Sequence, residues 1–167
     1  MTKDLRPENQ AEAEALAREF KERICAGEEP AFNRMLDPEF LELDFENRTL
    51  TLAYDFTYWM RNQVGIMHGG IIGAAADIAM GVLTYTFSGK KMPPTISQQT
   101  TYLRMVPPGT RLIVKAWADH VGRTTASLRC ELWLEGSPDQ LVATSTGVYS
   151  TSGKTYDEWL EQLEKTE

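Results

Sequence analysis

Cysteine, positive charge and long apolar runs are all in short supply in this chain, and each shortage excludes something. Its 167 residues include only two cysteines, Cys25 and Cys130. They lack metal-ligand spacing and fall in a helix-like and a strand-like segment. They read as two free thiols of a reducing compartment rather than a disulfide or a metal site. Lysine and arginine number 17 against 24 aspartates and glutamates, a net charge of -7, and the pI is about 4.9. Such a surface repels phosphate backbones, which argues against nucleic acid as a partner. A few local Arg or Lys side chains can still clamp an anionic ligand. The longest apolar stretch, Ile71 to Leu83, is interrupted by Asp77 and falls short of the ~20 residues that span a bilayer. The N-terminal Met1-Thr2-Lys3-Asp4 runs into charge with no apolar segment behind it, unlike a secretory leader. The expectation is a cytoplasmic protein without a membrane partner.

What is present fits an ordinary globular domain. Apolar residues make up 42% and charged residues 25%, and the length suits one core. No repeat or linker interrupts the chain, so residues 1–167 read as a single domain. Residues 8–26 read as an amphipathic helix, with Ala13, Leu16, Phe20 and Ile24 at helical spacing. Gly27 and Pro30 would end it, and a short apolar link, Phe32 to Leu36, follows. Leu41, Leu43 and Phe45 then alternate with acidic residues. After a turn at Asn47-Arg48, Leu50, Leu52, Tyr54 and Phe56 alternate in the same way. Two such runs around a tight polar turn predict a hairpin.

From Gly69 to about Ser88 the chain is apolar on nearly every face, and small residues dominate the first half. A helix of that composition is surrounded by protein. Four strand-like runs follow: 95–105, 110–121, 126–134 and 140–151, separated by turns at Pro107-Pro108-Gly109, Gly122-Arg123 and Gly136-Ser137-Pro138-Asp139. A charged helix at about 156–165 closes the chain. The order helix, hairpin, buried helix, four-strand meander, helix predicts an α+β fold. Its antiparallel six-stranded sheet would curve around the one helix apolar enough to fill it, the hotdog architecture. The core would span about 39–151, with the two terminal helices as additions.

Asp77 is the only charged residue between His68 and Lys90. A carboxylate in so apolar a helix is costly without partners or a task. Taken alone, it fits a structural carboxylate equally well. Gly69 and Gly70 open the helix, where backbone N–H groups lack partners and the dipole favours negative charge. Glycine lets a ligand come close, and such a turn can hold a carbonyl oxygen under attack. A plain tight turn is the competing reading. His68 sits at the cap, and a hydrogen-bonding structural role suits it better than proton transfer. Asn62 lies in the preceding loop, able to orient a ligand or to satisfy loop backbone. Tyr54, Tyr58, Trp59 and Met67 flank this region and read as core by default, with the lining of an acyl pocket as the alternative. Gly69 and Asp77 are eight residues apart, ~12 Å along one helix. One carbonyl carbon cannot meet both unless they come from two chains. A two-fold dimer with antiparallel helices achieves this twice.

The ordered set Asn62-x-x-Gly65-x-x-His68-Gly69-Gly70 and then Asp77 resembles the PaaI-like branch of hotdog acyl-CoA thioesterases. The likeness continues through Thr95, Tyr102, the Pro-Gly turn at 108–109 and Gly122-Arg123-Thr124, and covers roughly residues 40 to 150. The resemblance implies hydrolysis of an acyl-CoA to a free acid and CoA. Asp77 would be nucleophile or general base, the Gly69 amide the oxyanion hole, and Asn62 the group that positions water or substrate. Thr95 falls where a hydroxyl assists in some relatives. Gly70 would join the substrate contacts. CoA would run past Tyr102–Val106 and His120–Thr124, with Arg104 and Arg123 on its phosphates. The resemblance implies no cofactor beyond the CoA of the substrate. It implies a homodimer with shared sites, or a homotetramer built from it. Two rivals remain open: a hydratase or dehydratase on the same fold, and an acyl-CoA-binding module without turnover.

Overall fold

The computed structural model describes residues 4–26 and 31–165. Gly27 and Pro30, expected to end the first helix, lie outside them. Helix α1 spans Gln10–Ile24, capped by Asn9, whose side chain accepts from the Glu12 N–H at 3.0 Å. Lys21 and Arg23 in its last turn suit the negative end of the helix dipole. Its buried stripe is Ala13, Ala17 and Phe20. Leu16 and Ile24, expected on that stripe, are half-buried, because two alanines let the helix seat closely on one narrow face. The link at 32–36 is a short helix, α2 (Phe32–Leu36), closed by Asp37 in the left-handed region.

Six strands form one antiparallel sheet in the order β1-β2-β4-β5-β6-β3. They are β1 (Glu39–Asp44), β2 (Thr49–Asp55), β3 (Thr95–Tyr102), β4 (Arg111–Val121), β5 (Thr125–Leu134) and β6 (Leu141–Ser150). The expected hairpin is β1–β2, but its alternation breaks. Phe40 pairs with Leu52 and Glu42 with Thr51. Leu41 is therefore the extra residue of a β-bulge and is 40% exposed, while Leu43 is buried. A bulge resets the inward phase of a strand by one residue, so Phe40 rather than Leu41 packs on the core.

Helix α3 (Gly69–Phe87) lies across the concave face of the sheet and packs on β2 through β6. By length and composition it could cross a membrane, yet 72% of its apolar window is buried inside the protein. Leu50, Leu52, Tyr54, Leu112, Val114 and Leu132 close on it from the sheet, each almost fully buried. Each such side chain contributes ~1.5–3 kcal/mol on leaving water. This is the hotdog fold.

The terminal helices meet at the C-terminal half of α3, away from Asp77. Phe20 of α1 stacks on Tyr85 of α3 at 3.9 Å, and Tyr156 meets Phe20 edge-on at 5.2 Å. Tyr156 opens helix α4 (Tyr156–Glu164), which starts in a reciprocal capping box between Thr155 and Glu158.

Candidate active site

Helix α3 and strand β3 run side by side, and their facing residues form a ladder. Gly69, Gly73 and Asp77, four residues apart on one face of α3, each meet a side chain of β3. The Tyr102 hydroxyl donates to the Gly69 carbonyl at 3.0 Å, the Gln98 amide to the Gly73 carbonyl at 2.8 Å, and Thr95 Oγ1 to Asp77 Oδ1 at 2.8 Å. Between the two elements lies an open groove of about 450 Å³, with Asp77 and Thr95 at one end and Tyr102 at the other.

Thr95 reaches this groove because β3 is bulged. Tyr102, Thr100 and Gln98 share the inward face by simple alternation, which would bring in Ile96 next. The register slips between Thr95 and Ser97. Ile96 is thereby turned outward, 59% exposed, and Thr95 takes its place opposite Asp77. Thr95 pairs across the strands with Tyr149 of β6, a residue that the sequence pattern did not single out. The Tyr149 hydroxyl donates to the same Asp77 Oδ1 at 2.8 Å, with a longer contact to the Asp77 carbonyl at 3.3 Å. Burial, and then the charge of Asp77, push the Tyr149 phenol up, so it stays a donor. Among the described residues nothing donates to Asp77 Oδ2. The signal for Tyr149 lies in β6 itself. Its inward face carries Ser145, Gly147 and Tyr149, and a glycine two residues before a tyrosine on one face leaves room for the ring.

The other expected residues gather at the N-terminus of α3. His68 is the N-cap, and its Nδ1 accepts from the Gly70 N–H at 2.9 Å, which puts the ring proton on Nε2. The Gly70 amide is thus taken. The Gly69 amide has no hydrogen bond among the described residues. Asn62 turns its side chain back on its own loop, where Oδ1 accepts from Val64 and Ile66 at 3.0 and 3.3 Å. Gly65, at φ +87, makes the tight bend this requires. Met67 is buried, and Tyr54 is buried with its hydroxyl on the Ala75 carbonyl at 3.1 Å. Tyr58 departs from the core reading: it is 81% exposed, lifted out by a single 3-10 turn, Tyr58–Met60, with Arg61 over its ring.

The residues expected to meet CoA are split between two ends of the molecule. Arg104 donates to the Leu141 carbonyl, beside Tyr102 and the start of α3. His120, Arg123 and Thr124 are exposed at the β4–β5 turn, beside Thr151 and the end of α3. A Cβ at Gly122 in that turn would stand 2.8 Å from the exposed His120 ring and 3.0 Å from the Thr125 carbonyl oxygen. Leu141 and Thr151 are ten residues apart along β6, roughly 30 Å. Among the described residues no cluster of His, Cys, Asp or Glu is placed to hold a metal ion.

Residues 64–139 match the family profile described as the thioesterase superfamily. No curated protein matches the sequence. Among solved structures, the Escherichia coli PaaI protein from the phenylacetic acid degradation operon superposes with a TM-score of 0.73 at 20% identity, over 87% of this chain and 97% of its own. A mutant of the Thermus thermophilus phenylacetic acid degradation protein PaaI gives 0.62 at 27% identity, over 71% and 96%. A Streptococcus mutans protein bound to acetyl-CoA gives 0.65 at 20% identity, over 78% and 98%. Over its matched segment the chain is similar to the thioesterase superfamily, and it shares the hotdog fold of these solved structures.

Proposed function

We propose that this protein hydrolyses an acyl-CoA thioester, with Asp77 of one protomer and the Gly69 amide of its partner acting on one carbonyl. The observation that carries the reading is the setting of Asp77. Its carboxylate is the only charge on a buried helix, is held on one oxygen by Thr95, and leaves the other oxygen open to a groove. Water adds to the thioester carbonyl, the C–S bond breaks, and the CoA thiolate takes up a proton. Asp77 either removes the proton from water or attacks the carbonyl itself to give an anhydride that water then opens. In both routes negative charge grows on the carbonyl oxygen, which an unpaired amide at a helix N-terminus stabilises. His68 serves as the cap that orients this turn, and its Nδ1 is not free to act as a base. That engagement weakens the dehydratase reading.

Distance supports the dimer. Gly69 and Asp77 of one chain lie ~12 Å apart on α3. Strand β3 is an outer strand of the sheet with a largely exposed face, and an unpaired edge is a template for a second strand. The small residues Gly73 and Ala74 stand half-buried beside it. A second copy running antiparallel would set its Gly69 turn against Asp77 and carry Arg104 toward Arg123. One CoA could then meet Arg123 of one chain and Arg104 of the other. The reading calls for no metal and no organic cofactor besides the CoA moiety.

Mixed dimers test the shared site. Gly69→Pro removes only the N–H, because proline is tolerated at the first helical position and His68 already has extended backbone angles. Gly69→Pro and Asp77→Asn homodimers are each expected to lose ~100- to 1000-fold or more in turnover. Dimers refolded from an equal mixture should regain about a quarter of wild-type activity, since half are mixed and each of these has one intact site. No recovery on mixing would refute the shared site.

A further inference from the structure

We propose that Tyr149 is a positioning residue of this site. Together with Thr95 it fixes Oδ1 of Asp77, and so assigns Oδ2 as the oxygen that meets the water or the thioester. The inference rests on the thioester-hydrolase reading and adds to it a residue outside the Asn, His-Gly-Gly and Asp pattern.

Three observations meet on this hydroxyl. First, both Tyr149 and Thr95 donate to the same oxygen, each at 2.8 Å, while Oδ2 has no donor among the described residues. A carboxylate held by one donor can swivel about its Cβ–Cγ bond. Two donors arriving from adjacent strands stop that rotation and give the two oxygens different roles. Second, the two donors are a cross-strand pair brought into line by the bulge at Ile96. The register that turns Thr95 inward is also the register that sets it beside Tyr149.

Third, the fold makes room for the tyrosine ring at specific positions. A Cβ at Gly147 would stand 2.8 Å from Cε2 of Tyr149, and Met80 closes the same slot. The ring is 1% exposed. A phenylalanine would fill that slot equally well. What tyrosine adds is one hydroxyl, and its shortest hydrogen bond, at 2.8 Å, ends on Asp77 Oδ1. Its donor character survives across the working pH range because burial and the neighbouring charge oppose its ionisation.

Tyr149→Phe isolates the hydroxyl and keeps the packing. In the full-length protein, with an acyl-CoA that the wild type hydrolyses, kcat should fall ~10- to 100-fold while KM stays within about two-fold. That split is the mark of a misaimed reacting group rather than weaker binding. Thr95→Val should give a loss of the same kind, and the double variant a loss smaller than the product of the two if both act through one oxygen. A Tyr149→Phe protein with kcat within about two-fold of wild type would overturn the proposal, whether or not its melting temperature changes. Asp77→Asn is run beside it. Retained turnover in that variant would remove the hydrolase reading itself. Loss in Asp77→Asn with an unaffected Tyr149→Phe would remove only the role of Tyr149.

Discussion

Gly147→Ala puts the slot that holds Tyr149 under a direct test. The added methyl would lie 2.8 Å from Tyr149 Cε2, 3.2 Å from Met80 Cε and 3.3 Å from Met80 Sδ. Carbon atoms in contact sit ~3.5–4.0 Å apart, so the overlap with the ring is ~0.7 Å or more. The Met80 tip can bend away. The ring cannot do so cheaply, because it is buried and hydrogen-bonded to Asp77. Overpacking of this kind costs ~1–3 kcal/mol. Replacing a glycine within a strand returns ~0.5–1 kcal/mol through backbone entropy. The net expectation is a loss of ~0.5–2 kcal/mol, or a fall of a few degrees in melting temperature for a chain of this size. Gly81→Ala tests the opposite side of the same ring. There the new Cβ would lie at 4.0 Å, an ordinary contact, and alanine in mid-helix is worth ~1 kcal/mol over glycine. Thermal denaturation of the two variants should therefore move in opposite directions. Gly147→Ala should also lower kcat, because the ring can yield only by drawing its hydroxyl off Oδ1. A Gly147→Ala protein as stable as wild type would refute the packing argument. One that is destabilised but fully active would break the link between slot and site.

Two further predictions concern regions away from the groove. Phe20→Ala removes the ring stacked on Tyr85 and edge-on to Tyr156 and should cost ~3–5 kcal/mol in a urea titration; a loss below ~1 kcal/mol would show that the terminal helices are not anchored there. Alkaline pH should destabilise the protein through Tyr54, Tyr85 and Tyr149, all held above their ordinary value of 10 mainly by burial, Tyr85 at about 12. Their folded values exceed the unfolded one, so their contribution is intact below pH 10 and is lost as pH rises above it. The expected slope is up to ~4 kcal/mol per pH unit for the three groups together. Phenolate absorbance should show three of the six tyrosines titrating only as the protein unfolds, and normal titration of all six in the folded state would contradict this.

Much of the architecture was legible because it rests on composition. The run from Gly69 to Phe87 is apolar on all sides, and only a helix wrapped by protein satisfies that. The meander was legible because its inward residues alternate cleanly, as with Leu112, Val114, Ala116 and Ala118, all buried. The misses have local causes. Leu41 reads as an inward strand residue but is a bulge residue facing out, as Ile96 is in β3. A bulge is a property of pairing between strands, and nothing within either strand announces it. For Tyr149, β6 signals only room for the ring, and its meeting with Asp77 depends on how β6 pairs with β3 and how α3 lies across them. Tyr58 read as core because it is aromatic, but the turn at 58–60 lifts it away. Arg104 and Arg123 looked like partners for one ligand. The length of β6 separates them, with Arg104 beside Leu141 and Arg123 beside Thr151.

The most direct test of the central claim is thiol release from purified protein offered acetyl-, hexanoyl-, palmitoyl-, benzoyl- and phenylacetyl-CoA, with Asp77→Asn alongside. Hydrolysis of at least one thioester is predicted. Asp77→Asn should lose at least ~1000-fold in kcat while keeping the wild-type melting curve to within a few degrees. Hydrolysis that persists in the folded Asp77→Asn protein, or its absence across the whole panel in the wild type despite tight acyl-CoA binding, would contradict the account.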